Sequence, residues 1–170
     1  MAVMSEPAVE ERTETFEDFF HAHHERLLRT MYLATGDRHE AEDLAQEAFV
    51  RILERWERVR SLDDPVGYVF RTALNARRSR LRRLAVAARK ALRPEPRPDE
   101  QDAAEDRTAV QRALAALPDG QREAVVLVEW LGMTDERAGE VLGVSAGAVR
   151  TRLHRARAAL RDLLRGEIDA

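Results

Sequence analysis

Thr134 to Leu164 is the stretch that leaves the chain fewest options. Thr134 is a strong N-cap, and Asp135 and Glu136 follow in the first turn, where the helix dipole favours negative charge. The helix they open runs through Val141-Leu142 and meets Gly143, which can take the left-handed conformation that ends helices. After Val144 comes Ser145, a second N-cap, and a longer helix begins. Two helices joined by a short turn containing Gly form the helix-turn-helix pattern, whose second helix enters the major groove of DNA.

Resolved into faces at about 100° per residue, the second helix is two-sided. Val149, Leu153, Ala156, Leu160 and Leu163-Leu164 share an apolar stripe that packs on the domain. Arg150, Thr151, His154 and Arg155 project from the other side, with Ser145, Gly147 and Ala148 at the helix start and Arg152 and Arg157 on the flanks. Arginine matches guanine O6/N7, threonine a methyl or base edge, and flanking arginines hold phosphates. A merely solvated basic helix would look similar. The capped helix and Gly turn in front of this one favour DNA.

The net charge of −3 is wrong for a nucleic-acid binder only until it is divided along the chain. Residues 1–65 hold eight Arg/Lys against sixteen Asp/Glu, whereas 66–93 hold nine against none. Residues 94–143 return to acid, five against twelve, and 144–170 hold six against three. Such alternation predicts two separate phosphate-facing surfaces and leaves the acidic surfaces for another partner.

Sparse β-branched and aromatic residues beside abundant Ala, Leu, Arg and Glu predict an all-α chain of two small helical domains. Residues 1–13 read as a disordered polar tail. A first domain over 14–92 begins with a helix from about Thr15 to Thr35-Gly36 that buries Phe16, Phe19, Phe20, Leu27, Leu28 and Met31. Asp37, with Glu40 three residues on, is a capping-box-like start for a second helix expected to reach about Val59. One face of it lines up Glu40, Asp43, Glu47 and Glu54, with Gln46 adjacent. That is either a solvated acidic face or a docking face for a basic partner.

Asp64-Pro65 announces the third helix, an N-cap followed by Pro at the first helical position. Tyr68, Arg71, Asn75, Arg78, Arg82 and Arg89 share a side opposite Val66, Val69, Ala73 and Leu84. An aromatic to stack, an amide to read an edge and guanidiniums for phosphates suit a strand with unstacked bases. Arg77 and Arg80 fall nearer the apolar side, which predicts a break or bend around Ala76–Ser79.

Alternating prolines at 94, 96 and 98 mark a linker over 93–102. Beyond it a second domain over 103–166 is expected, with a helix from about Ala103 to Leu117 and a turn at Pro118-Asp119-Gly120. A further helix from Gln121 to Leu131 then leads into the helix pair described first.

In this order the motifs resemble the extracytoplasmic-function group of bacterial sigma-70 RNA polymerase sigma factors. Phe16 to Lys90 resembles region 2, through Ala34-Thr35-Gly36-Asp37, Glu40 to Phe49, and Asn75 with its arginine cluster. Val110 to Leu164 resembles region 4, through Leu114 to Gln121 and Gly143 to Arg157. The resemblance implies a factor that binds core RNA polymerase, at the β′ clamp helices through Asp43, Gln46 and Glu47 and also at the β flap. It implies reading of the promoter −10 element by Tyr68, Arg71, Asn75, Arg78 and Arg82. Reading of −35 falls to Ser145, Gly147, Arg150, Thr151, Arg152, His154, Arg155 and Arg157, and an anti-sigma factor is the expected inhibitor. Three departures stand out: Gly67-Tyr68 where the family's Trp-containing motif is usual, Gly139 where Ala is usual and Ala148 where Thr is usual.

Other classes fit less well. No catalytic set, cofactor or metal site is expected: there is no cysteine or Gly-rich phosphate loop, and His21, His23 and His24 lack a convincing second ligand group. A stand-alone helix-turn-helix regulator needs neither the basic 66–93 helix nor the acidic face. Lacking cysteines, a basic-then-apolar leader and a membrane-length apolar run, the chain is expected in the cytoplasm.

Overall fold

The computed structural model describes residues 15–90 and 108–168. Thr15 opens α1 (Phe16–Thr35): its hydroxyl accepts the Asp18 N–H while the Asp18 carboxylate accepts from the Thr15 backbone, a complete capping box. Gly36 ends α1 at φ 71°, and Asp37 at once caps α2 (Arg38–Leu53), accepting the Glu40 N–H at 2.8 Å. The cap is one-sided, without the return bond of a box.

α2 stops short of Val59. After Glu54-Arg55 the chain turns and resumes as α3 (Trp56–Val59), which sets the Trp56 ring 5.8 Å from Phe16 and 5.1 Å from Phe19. Those aromatic contacts reward the break. Asp64 then begins α4 (Pro65–Lys90), accepting the Gly67 N–H at 2.8 Å.

α4 is one unbroken helix, so the break that was one of the two outcomes expected at Ala76–Ser79 does not occur. Arg77 and Arg80 lie on its inner side because carboxylates meet them there: Asp119 at 2.7 Å from Arg77, and Glu47 at 3.1 Å from Arg80. An arginine on an apolar stripe marked a partner, not a break in the helix.

The second unit starts at Thr108, whose capping box with Gln111 opens α5 (Ala109–Ala115). The expected start at Ala103, the linker 93–102 and the tail 1–13 lie outside the described residues. Pro118-Asp119-Gly120 is no separate turn: Pro118 is the N-cap of α6 (Asp119–Val125). α6 widens into a π turn over Val126–Trp130, closed by the Leu131 N–H on the Val126 carbonyl at 3.1 Å. The wider turn keeps Val126, Leu127 and Leu131 all buried.

α7 (Asp135–Leu142) is capped by Thr134 and ended by Gly143 at φ 68°, as its residues predict. Ser145 accepts the Ala148 N–H at 3.2 Å and starts α8 (Ala146–Ile168). Gly139 has a geometric reason in this turn, since a Cβ there would stand 2.7 Å from the Val144 carbonyl oxygen.

Phe19, Leu27, Met31, Leu44, Ile52, Phe70 and Leu74 form the core of the first unit, and Leu127, Val141, Leu142, Val149 and Leu153 that of the second. The two cores are continuous, with α1 packed on α5 and α6 and α4 packed on α7. No described helix is long and apolar enough to cross a membrane.

Candidate nucleic-acid interface

α2 buries Ala41, Leu44, Ala45 and Ala48 and thereby turns Asp43, Gln46 and Glu47 outward on one ridge. Glu47 is held by Arg51 at 2.6 Å and Arg80 at 3.1 Å, and Asp43 lies 3.5 Å from Arg80. Asp43 and Gln46 remain exposed. Beside the ridge an open apolar groove of about 520 Å³ runs between α1 and α2, lined chiefly by Phe16, Phe20, Leu28, Phe49, Val50 and Leu53.

Along α4, Arg71, Asn75 and Arg82 are exposed and Tyr68 is half-buried, with the Arg71 guanidinium 6.0 Å from the Tyr68 ring centre. These four share an outward ridge. Arg78 is placed differently. One of its nitrogens donates to Glu123 at 2.6 Å and the other to the Leu142 carbonyl at 3.1 Å, both across the seam between the units.

On α8, burial of Val149, Leu153 and Ala156 leaves Ser145, Gly147, Arg150, Thr151, His154 and Arg155 exposed on the opposite face. The Thr151 hydroxyl donates to the Gly147 carbonyl at 3.0 Å, and Arg150 lies 3.6 Å from Asp135 at the start of α7. His154 and Arg155 have no hydrogen-bond or ion-pair partner among the described residues, so their polar groups are free for a ligand. Arg152 is half-buried and turned toward Gly120, while Arg157 pairs with Glu129. Both occupy the flanks expected of them.

The seam between the units is where sequence reasoning found least. Arg77 is 5% exposed and reaches Asp119 at 2.7 Å and Glu123 at 3.5 Å. Glu123, only 2% exposed, bridges Arg77 and Arg78. Arg137 grips Asp64 with two bonds of 2.7 and 2.9 Å, and Arg26 donates to the Leu131 carbonyl at 2.9 Å. Burial pushes the Asp64 carboxyl up, but the bonds from Arg137 and the Gly67 N–H outweigh it and hold the group below the usual carboxylate range. A glutamate beside Ala124-Val125 and an arginine on the apolar side of α4 were the available signals. His21, His23 and His24 pack against phenylalanine rings, His23 at 4.7 Å from Phe19 and His24 at 4.6 Å from Phe20.

Residues 19–86 match the family described as Sigma-70 region 2, and residues 107–160 that described as Sigma-70, region 4. An RNA polymerase sigma-E factor of Streptomyces coelicolor is 34% identical over 158 residues, covering 91% of this chain and 89% of that protein. The ECF RNA polymerase sigma factor SigM of Mycobacterium tuberculosis is 34% identical over 150 residues, covering 88% and 76%. Among solved structures, the sigma factor RpoE of Bartonella quintana, in complex with the anti-sigma factor NepR, resembles the fold at a TM-score of 0.74. The identity there is 21%, over 88% of this chain and 96% of that one. CnrH in complex with the cytosolic domain of CnrY matches at 0.63, with 28% identity over 89% and 88% of the two chains.

Proposed function

This chain belongs to the extracytoplasmic-function group of sigma-70 RNA polymerase sigma factors, and from that premise we propose how its surfaces share the work. As an alternative sigma factor it binds core polymerase and directs it to particular promoters. The α2 ridge of Asp43, Gln46 and Glu47 docks the core enzyme at the β′ clamp helices, and the second unit adds a contact at the β flap. Tyr68, Arg71, Asn75, Arg78 and Arg82 on α4 take the −10 element: the ring stacks on an unpaired base, the amide reads an edge and the guanidiniums hold phosphates.

Helix α8 takes −35, with Arg150, Thr151, His154 and Arg155 toward base edges and Ser145, Gly147, Arg152 and Arg157 toward the backbone. The chain makes and breaks no covalent bond itself, needs no cofactor and works in the cytoplasm with the polymerase. The two domains are assigned to 14–92 and 103–166. An anti-sigma factor is the expected inhibitor, and the apolar groove between α1 and α2 is a surface one could cover.

The observation that carries this reading is the segregation of charge: an acidic ridge on α2, and basic faces on α4 and α8, each on a different element. Mixing Asp43→Lys protein with core polymerase tests it. Loss of co-elution with the fold retained supports the docking ridge; unchanged co-elution removes it.

A further inference from the structure

Among the described residues, one acidic side chain pairs with the outward face of α8, and the crossing of α7 with α8 puts it there. α7 comes against the start of α8 at Gly139, where a Cβ would stand 2.7 Å from the Val144 carbonyl oxygen and 3.3 Å from the Ala146 nitrogen. Residues four apart on a helix share a face, one turn from each other. One turn back from Gly139 along α7 is Asp135, and one turn on from Ala146 along α8 is Arg150. The side chains that meet one turn out from the crossing are thus a carboxylate and a guanidinium, with Asp135 Oδ2 3.6 Å from Arg150 Nη1. The other terminal nitrogen, Nη2, lies back over the helix start, 3.9 Å from where a Cβ on Gly147 would stand. The Asp135 side chain is 25% exposed and that of Arg150 61%, so the acid is set into the protein while the base stands in solvent.

We propose that Asp135 is a positioning residue for Arg150. It holds the guanidinium over the first turn of α8, toward a guanine edge, and so sets the preference at one base pair of the upstream element. The N-terminal residues of a recognition helix are the ones that reach base edges. The inference rests on the reading of α8 as the −35 surface, with Arg150 facing bases.

Two physical effects act in the same direction. A long arginine side chain gives up rotamer freedom on binding, and a carboxylate that restrains it beforehand leaves less to give up. At 3.6 Å the contact is an ion pair without a hydrogen bond. The guanidinium keeps its donors for guanine O6 and N7. The second effect is repulsive. A phosphate that captured Arg150 would bring its own negative charge beside Asp135, whereas a guanine edge brings none. The carboxylate penalises backbone capture more than base reading, which is discrimination by an unfavourable alternative.

Asp135 also lies in the first turn of α7, where the helix dipole favours acid, and Glu136 shares that position. Glu136 has no ion pair among the described residues, which makes it the control.

The test is transcription by core polymerase, loaded with the native protein or a variant, from promoters randomised across the upstream element. Arg150→Ala identifies the base pair that Arg150 reads, as the position where preference for guanine collapses. Asp135→Asn keeps shape and removes charge. It should lower guanine preference at that position by about threefold or more, a part of what one bidentate contact supplies, and leave the other positions unchanged. Glu136→Gln removes the same charge from the same turn and should leave the preference intact. In the Arg150→Ala background, Asp135→Asn should change nothing further there. Melting temperatures check that each variant is folded. Unchanged guanine preference in Asp135→Asn overturns the proposal. So does an equal loss in Glu136→Gln, which would make the effect one of the helix dipole. If Arg150→Ala costs no guanine preference at any position, the base-reading role of Arg150 fails and the positioning role falls with it. That failure shows in the Arg150 variant alone.

Discussion

Gly139 sits inside α7, where alanine would ordinarily stabilise a helix by about 1 kcal/mol. The turn to α8 reverses that preference, because a Cβ would press within 2.7 Å of the Val144 carbonyl, and backbone has nowhere cheap to go. Gly139→Ala should therefore lower stability by about 1–3 kcal/mol, as overpacking does, in urea unfolding; a gain would show that the turn yields. Arg155 is exposed and unpartnered on the outward face of α8, so Arg155→Ala should cost about 1–3 kcal/mol at one −35 base pair and relax preference there. A uniform loss across all sequences would instead make it a phosphate contact. At this scale the caps Asp37, Thr134 and Ser145 were legible because they act within three residues of themselves, whereas the capping box of Thr108 was not read. Arg77 was not, since its partner Asp119 is 42 residues away and no local pattern joins them.

Among the elements, α1, α7 and α8 match the periodicity of their apolar residues almost end to end. The departures have tertiary causes. α2 ends early so that Trp56 can turn onto Phe16 and Phe19, and α4 runs unbroken, with carboxylates on α2 and α6 receiving its inner arginines. The π turn after α6 is likewise invisible in a valine-rich run that reads as ordinary helix. For the docking ridge, the prediction concerns α2 as a whole. Asp43→Lys should abolish association with core polymerase while thermal unfolding shifts by no more than a few degrees, because the side chain is exposed. Glu47 is a poorer probe, being shared between Arg51 and Arg80.

Across the whole molecule, Asp64–Arg137 links the two units, and it carries a pH dependence. Asp64 titrates below its unfolded value, so the bridge contributes fully above the unfolded carboxyl pKa, about 4, and is lost as pH falls through the depressed folded value. The difference in melting temperature between the native protein and Asp64→Asn should be constant above about pH 5 and shrink toward zero in stronger acid. A difference that grew on acidification would mean the carboxyl is not held ionised. The two helical units and their charges could be read from the chain, but their closure could not, because it depends on pairs far apart in sequence.

The division of labour between α4 and α8 is tested most directly by in vitro transcription with core polymerase on a randomised promoter library. The native protein should yield discrete starts preceded by two conserved elements. Arg155→Ala should alter base preference only in the upstream element, and Asn75→Ala only in the downstream one. Start sites that neither substitution changes, or that both change in the same element, would contradict the account.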